Sequence, residues 1–200
     1  YLLSPESAVV SLAKPVAQSA SRFSAGQRAS TQTQVRSIRF GLVGANAEAK
    51  GEGLGTLPGR VNYLLGNNPT AWHTEVPTYN KVRFPEIYPG VSLVYYGTGR
   101  RLEFDFVVAA EADPAQIAFG ITGADALQLD ASGNLLVQVG EDVLSQRRPV
   151  CFQQVDGRRI PVESSFRLAD GHRVEFQLGD YDRSKALVID PVFDYATYFG

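Results

Sequence analysis

The chain has 200 residues, of which 44% are hydrophobic and 20% charged, with 19 basic and 21 acidic side chains giving a formal net charge of −2. That mixture supports globular cores and excludes wholesale disorder, while the balanced charge provides no field to draw in a nucleic-acid backbone. The longest apolar runs, VSLVYY at 91–96 and ALVI at 186–189, fall far short of the roughly 20 residues that a helical bilayer crossing needs, so no membrane insertion is expected.

The opening stretch YLLSPESAVVSL alternates like a strand, and methionine occurs nowhere in the chain. The true N-terminus is therefore expected upstream, together with any signal peptide. Residues 13–37 differ in kind, being rich in Ser, Ala, Gln and Thr. No acidic residue falls between Glu6 and Glu48, whereas Lys14, Arg22, Arg28, Arg36 and Arg39 are all basic. A basic tether for an anionic polymer is one reading; a surface loop between two strands is the plainer one, and it is preferred here. GEGLGTLPG at 51–59 departs from the spacing of a phosphate-binding glycine loop, and Pro58 follows where a helix would have to start.

Trp72, Tyr79 and Tyr88, with Tyr95 and Tyr96 beyond them, offer flat rings of the kind that stack on the apolar faces of sugars. The first three are the candidate glycan-binding residues. YPGVSLVYYGTGRRLEFDF at 88–106 reads as two strands folded back on a Gly-Thr-Gly turn. In its second strand Leu102, Phe104, Phe106 and Val108 share one face, and Glu103 and Asp105 the other. ADPAQIA supplies a single helical turn with Asp113 as N-cap and Pro114 at its first position. Thereafter DASGN (130–134), GED (140–142), VDGR (155–158) and ADGH (169–172) punctuate short apolar runs, the pattern of a meander of hairpins in an all-β protein. Cys151, alone of its kind, lies in the alternating run PVCFQQV, where a small buried hydrophobe is expected. Leu93, Phe166, Val174, Phe176 and Leu178 complete the inward set.

Sliding the chain by 72 residues superposes Pro77 on Pro149, Pro89 on Pro161 and Gly99 on Gly171, and brings Arg101-Leu102-Glu103-Phe104 onto Arg173-Val174-Glu175-Phe176. RFGLVGANA at 39–47 likewise matches AFGITGADA at 118–126. The repeat predicts two tandem, related antiparallel β-sandwich units, residues 1–112 and 113–200. It also argues against catalysis by Glu103 and Asp105, since Asp105 falls on Gln177 in the second copy and a hydrolytic pair needs both carboxylates. Cross-strand ion pairs with Arg100, Arg101 or a neighbour are the expected role of these carboxylates.

His73 and His172 are the only histidines, and each sits in a polar, loop-like setting. Neither a triad nor a histidine-rich metal site has much to build on. DYDRSKALVID at 180–190 places Asp180, Asp182 and Ser184 at the first three ligand positions of a calcium loop, but Lys185 replaces the turn glycine and Pro191 the bidentate glutamate. Asp180 and Asp182 remain weak calcium candidates; an Asx turn feeding a last strand is the preferred reading. No cofactor and no catalytic residue is assigned.

NYLLGN, W-x-T-x-VPTY, YPGVSLVYYG, LEFDF and LVIDP occur in that order, and together they resemble the uncharacterised domain that stands ahead of SBBP-type β-propeller repeats in large bacterial secreted and cell-surface proteins. The likeness runs from about residue 38 onward, and Ser92 departs from it where relatives more often carry aspartate. It implies an extracellular or cell-surface location within a longer polypeptide, with YATYFG at the threshold of the first downstream repeat, and it implies no activity. The expectation is a noncatalytic structural or interaction module that assembles with itself or with neighbouring surface proteins through open sheet edges. A glycan-binding module is the alternative, and a hydrolase built on Glu103 and Asp105 a distant third.

Overall fold

The computed structural model describes residues 4–5, 7–16, 32–98, 101–169 and 172–191, and the side chains of all of these except 7–16, 32–36, 98, 101 and 102. In chain order the strands are β1 (Ser7–Val16), β2 (Gln32–Leu42), β3 (Glu52–Tyr63), β4 (His73–Tyr88), β5 (Val91–Thr98), β6 (Arg101–Val108), β7 (Ala118–Thr122), β8 (Ala126–Leu129), β9 (Leu135–Val139), β10 (Asp142–Gln146), β11 (Val150–Val155), β12 (Arg158–Val162), β13 (Ser164–Leu168), β14 (Arg173–Leu178) and β15 (Leu187–Asp190). Two single 3-10 turns interrupt them, Pro69–Ala71 and Pro114–Gln116. The second is capped as its sequence indicates, the Asp113 carboxylate accepting the Ala115 N–H at 3.0 Å.

The described strands form three antiparallel sheets: β1-β2-β7-β14-β13, β10-β9-β8, and a large one ordered β12-β11-β15-β6-β5-β4-β3. Alternation decides what each buries. From the large sheet Leu93, Tyr95, Phe106, Val108, Cys151, Leu187 and Ile189 point inward as one apolar layer. The five-stranded sheet answers at one end with Leu42, Phe176 and Leu178, and at the other packs Ile38, Phe40, Ile121 and Val174 against Leu135, Val137, Val139 and Leu144 of the small sheet. Phe176 joins the two cores, its ring centroid 5.9 Å from Phe106, 5.9 Å from Phe119 and 5.7 Å from Phe166. Every side chain expected to face inward does so, apart from Leu102, whose side chain lies outside those described.

The all-β antiparallel class holds, but the sheets do not divide at residue 112. β2 pairs with β7, and β6 with β15, so both large sheets take strands from each side of that position. The two RFGLVG-like copies pair with each other: Gly41 lies opposite Gly120 and Phe40 opposite Ile121, while Gly44 and Gly123 both have positive φ, 71° and 87°. The two Arg-x-Glu-Phe strands lie in different sheets, β6 in the large one and β14 in the five-stranded one. The similar strands therefore interleave and do not fall into two tandem units, and the superposed prolines differ in setting, Pro89 in a turn and Pro161 within β12. The two ends of the basic stretch 13–37 are strand, since β1 runs to Val16 and β2 begins at Gln32 and the two pair antiparallel; the remainder, residues 17–31, on which the loop expectation falls, lies outside those described.

Candidate functional site

β3 and β4 are the longest strands, at 12 and 16 residues, and they leave the body as a two-stranded ribbon. At its base Arg83 pairs with Glu52 at 2.7 Å, and the Tyr79 ring fills the space over Gly53, where an added Cβ would meet it at 2.5 Å. Beyond that, all residues from Gly55 to Glu75 are exposed. Val61 faces Val76, and Tyr63 faces His73, in the last pairs before the apex. The apex is fixed by its own hydrogen bonds: the Asn68 side-chain oxygen (Oδ1) accepts the Thr70 N–H at 3.1 Å, and the Trp72 indole N–H donates to the Gly66 carbonyl at 3.1 Å. On this frame Tyr63 is 51% exposed, Leu64 55%, Leu65 75% and Trp72 37%. Exposed apolar side chains gathered at one hydrogen-bonded apex are the kind of surface that interaction sites present.

The structure does not gather the three glycan candidates. Trp72 sits at the apex; Tyr79 lies seven positions down β4, about 20 Å away at the rise of a strand. Tyr88 is in the core. A bulge between Phe84 and Tyr88, with Glu86 at φ 51°, turns both Ile87 and Tyr88 inward, and the Tyr88 hydroxyl donates to the Val43 carbonyl at 2.9 Å. Alternation alone could not show this, because the bulge breaks the period. Trp72 keeps an exposed position, and Tyr79 an exposed ring committed to packing on the ribbon.

The outer face of the large sheet carries the carboxylates of the opening hairpin. Lys81, Tyr96 and Glu103 stand in one cross-strand row, and Asp105 in the next. Asp190 of β15 follows Ile189, which pairs with Phe106, so the same register brings it beside Asp105. The Tyr96 hydroxyl donates to Asp105 Oδ1 at 2.9 Å, and the Lys81 ammonium lies 5.2 Å from the Tyr96 ring centroid. Burial is the main cause that raises the Asp105 and Asp190 carboxyls, the latter to about 6; the Tyr96 hydroxyl and Lys81 partly offset the rise at Asp105, while the charge of Glu103 adds to it at both and that of Asp105 adds to it at Asp190. Glu103 and Asp105 thus face outward as expected, with Tyr96 and Lys81 as neighbours; Arg100 and the Arg101 side chain lie outside what is described. Asp190 escaped the sequence reading because its companions are distant in sequence and meet it only through the β6–β15 pairing.

At 180–186 the carboxylate of Asp182 heads an Asx turn, accepting the Ser184 N–H at 3.0 Å and its hydroxyl at 2.6 Å, with the Lys185 ammonium 3.1 Å from its other oxygen. Those bonds hold the Asp182 carboxyl below the ordinary range, the Ser184 hydroxyl contributing most, and they occupy oxygens a cation would need; Asp180 is exposed nearby. The turn is pinned from beneath by buried Gln153, whose amide donates to the Asp182 carbonyl at 2.7 Å and accepts its N–H at 3.0 Å. An open cleft of about 690 Å³ lies between β11–β12 and β13–β14, lined by Arg148, Cys151, Glu163, Ser164 and Gln177 among others. It holds no aromatic ring, and burial pushes the Cys151 thiol up to about 11, far from reactive.

Fold and surface together define an antiparallel all-β domain whose most developed exposed feature is a protruding ribbon. Residues 1–192 match the family described as a domain of unknown function (DUF7948), and the chain belongs to that family. No curated protein and no solved structure matches it.

Proposed function

We propose that the chain is a noncatalytic structural and interaction module of a secreted or cell-surface bacterial protein, with the β3–β4 ribbon as its docking element. The observation that carries this reading is the fixed apex with Tyr63, Leu64, Leu65 and Trp72 turned to solvent. Such surface is costly to leave in water and is suited to burial against another molecule. The resemblance to domains that precede SBBP-type repeats supports the surface location and a longer parent polypeptide. The carboxylates on the large sheet serve the sheet surface in this reading: Asp105 is bonded to Tyr96, and neither it nor Glu103 lines the described cleft.

A glycan-binding role draws on Trp72 alone, since Tyr88 is buried and Tyr79 lies down the ribbon. One comparison tests both readings against catalysis. Wild type, Glu103→Gln and Trp72→Ala, each checked for an unchanged unfolding temperature, are assayed on ester and glycoside substrates and on a glycan array. The proposal expects no turnover that depends on Glu103. Turnover lost in a folded Glu103→Gln chain contradicts it, and glycan retention lost in Trp72→Ala assigns the apex to sugar.

A further inference from the structure

We infer that the occupant of the ribbon is a second copy of the same chain, seated ribbon on ribbon in a closed two-fold dimer. This rests on the reading of the ribbon as a docking element and adds the identity of the partner. The first ground is what the outer strands forbid. A strand at a sheet edge can pair with another chain, and proline, lacking an N–H, blocks that route. Three of the four outer strands of the two larger sheets contain one: Pro15 in β1, Pro58 in β3 and Pro161 in β12. The fourth, β13, carries the charged Arg167. β3 is further broken by a register shift between Thr56 and Arg60. Association through edges into an open polymer is therefore disfavoured, which redirects assembly to side-chain surfaces.

The second ground is size. Leu57, Val61, Tyr63, Leu64, Leu65 and Trp72 are between 37% and 75% exposed, together on the order of 500 Å² of apolar surface at the usual areas of such side chains. Apolar atoms make up somewhat over half of an ordinary interface. Brought into one interface, these side chains correspond to about 800–900 Å² per copy, the standard size for a stable pair.

The third ground is charge. From Gly53 to Thr74 the ribbon has no carboxylate; its charges are Arg60 and, just beyond, Glu75. They stand two levels apart on the ribbon, Arg60 opposite Pro77 and Glu75 one position beyond the Val61–Val76 pair, where its N–H donates to the Asn62 side chain. A two-fold axis crossing the ribbon there sets the Arg60 of each copy against the partner's Glu75, twice over, as an isologous interface requires. A lipid surface would answer the apolar apex but not this paired arrangement of opposite charges.

The test is sedimentation of the 200-residue chain at concentrations up to about 100 μM, with unfolding temperature as a control for fold. The expected result is a dimer that Leu65→Glu weakens by about 100-fold and that Arg60→Glu or Glu75→Arg alone weakens by about 10-fold. Combining Arg60→Glu with Glu75→Arg restores it to within about threefold of wild type. A chain that stays monomeric throughout overturns the inference, as does a dimer indifferent to Leu65→Glu or a double exchange that fails to rescue. A monomer that binds phosphatidylcholine vesicles or a glycan through the apex overturns this partner while leaving the docking role intact; turnover dependent on Glu103 overturns the noncatalytic reading on which the inference rests.

Discussion

Burial raises the Asp190 carboxyl to about 6, with Asp105 and Glu103 pushing in the same direction. Because the folded chain binds this proton more readily than the unfolded one, folding gains stability as pH falls from about 6 toward the ordinary aspartate value near 4. Above about pH 6 the charged form is a burden. The full shift corresponds to about 3 kcal/mol, but Asp190 is only partly buried, and solvent screening reduces the expected effect to about 1 kcal/mol. Asp190→Asn should therefore stabilise the chain by about 1 kcal/mol at pH 7.5 and flatten its rise in stability between pH 7 and 5, measured by urea unfolding; an unaltered pH profile would show that the carboxylates do not interact in this way. Phe176 gives the opposite case, a side chain whose part was legible from alternation in RVEFQL. It meets Phe106, Phe119 and Phe166 across the two cores. Phe176→Ala should cost about 3–5 kcal/mol, and a loss below about 1 kcal/mol would remove it from the joint assigned to it.

Among the elements, hairpins were the most readable. DASGN, GED and VDGR each join the two strands expected, since a turn needs particular residues wherever it occurs. The β3–β4 ribbon carries no hairpin signature in its sequence, and the reason is physical. Both its faces are exposed, so no burial imposes alternation on GLGTLPGRVNY, and its glycines and Pro58 resemble a loop. The bulge at Glu86 hid Tyr88 in the same manner, by breaking the period on which a facing argument depends. The proline in β3 is legible only after the fold, because its meaning comes from lying on an outer strand.

For the molecule as a whole, the all-β class followed from turn spacing, whereas the interleaving of the repeat copies did not. Sequence similarity shows that two strands are alike, and it cannot show that β2 and β7 pair with each other or that β6 receives β15; those are non-local pairings decided by which apolar faces meet. The candidate site divides similarly: Trp72 was visible as an exposed aromatic, while the ribbon that presents it required the structure. The ribbon contributes nothing to the described cores beyond its base, since residues 55–75 are exposed throughout. The most direct measurement replaces 57–75 with a two-residue turn and records unfolding temperature and light scattering beside wild type. The account predicts an unfolding temperature within about 2 °C of wild type and loss of association. A drop of about 10 °C or more, or association that survives the replacement, would contradict the assignment of the ribbon to docking.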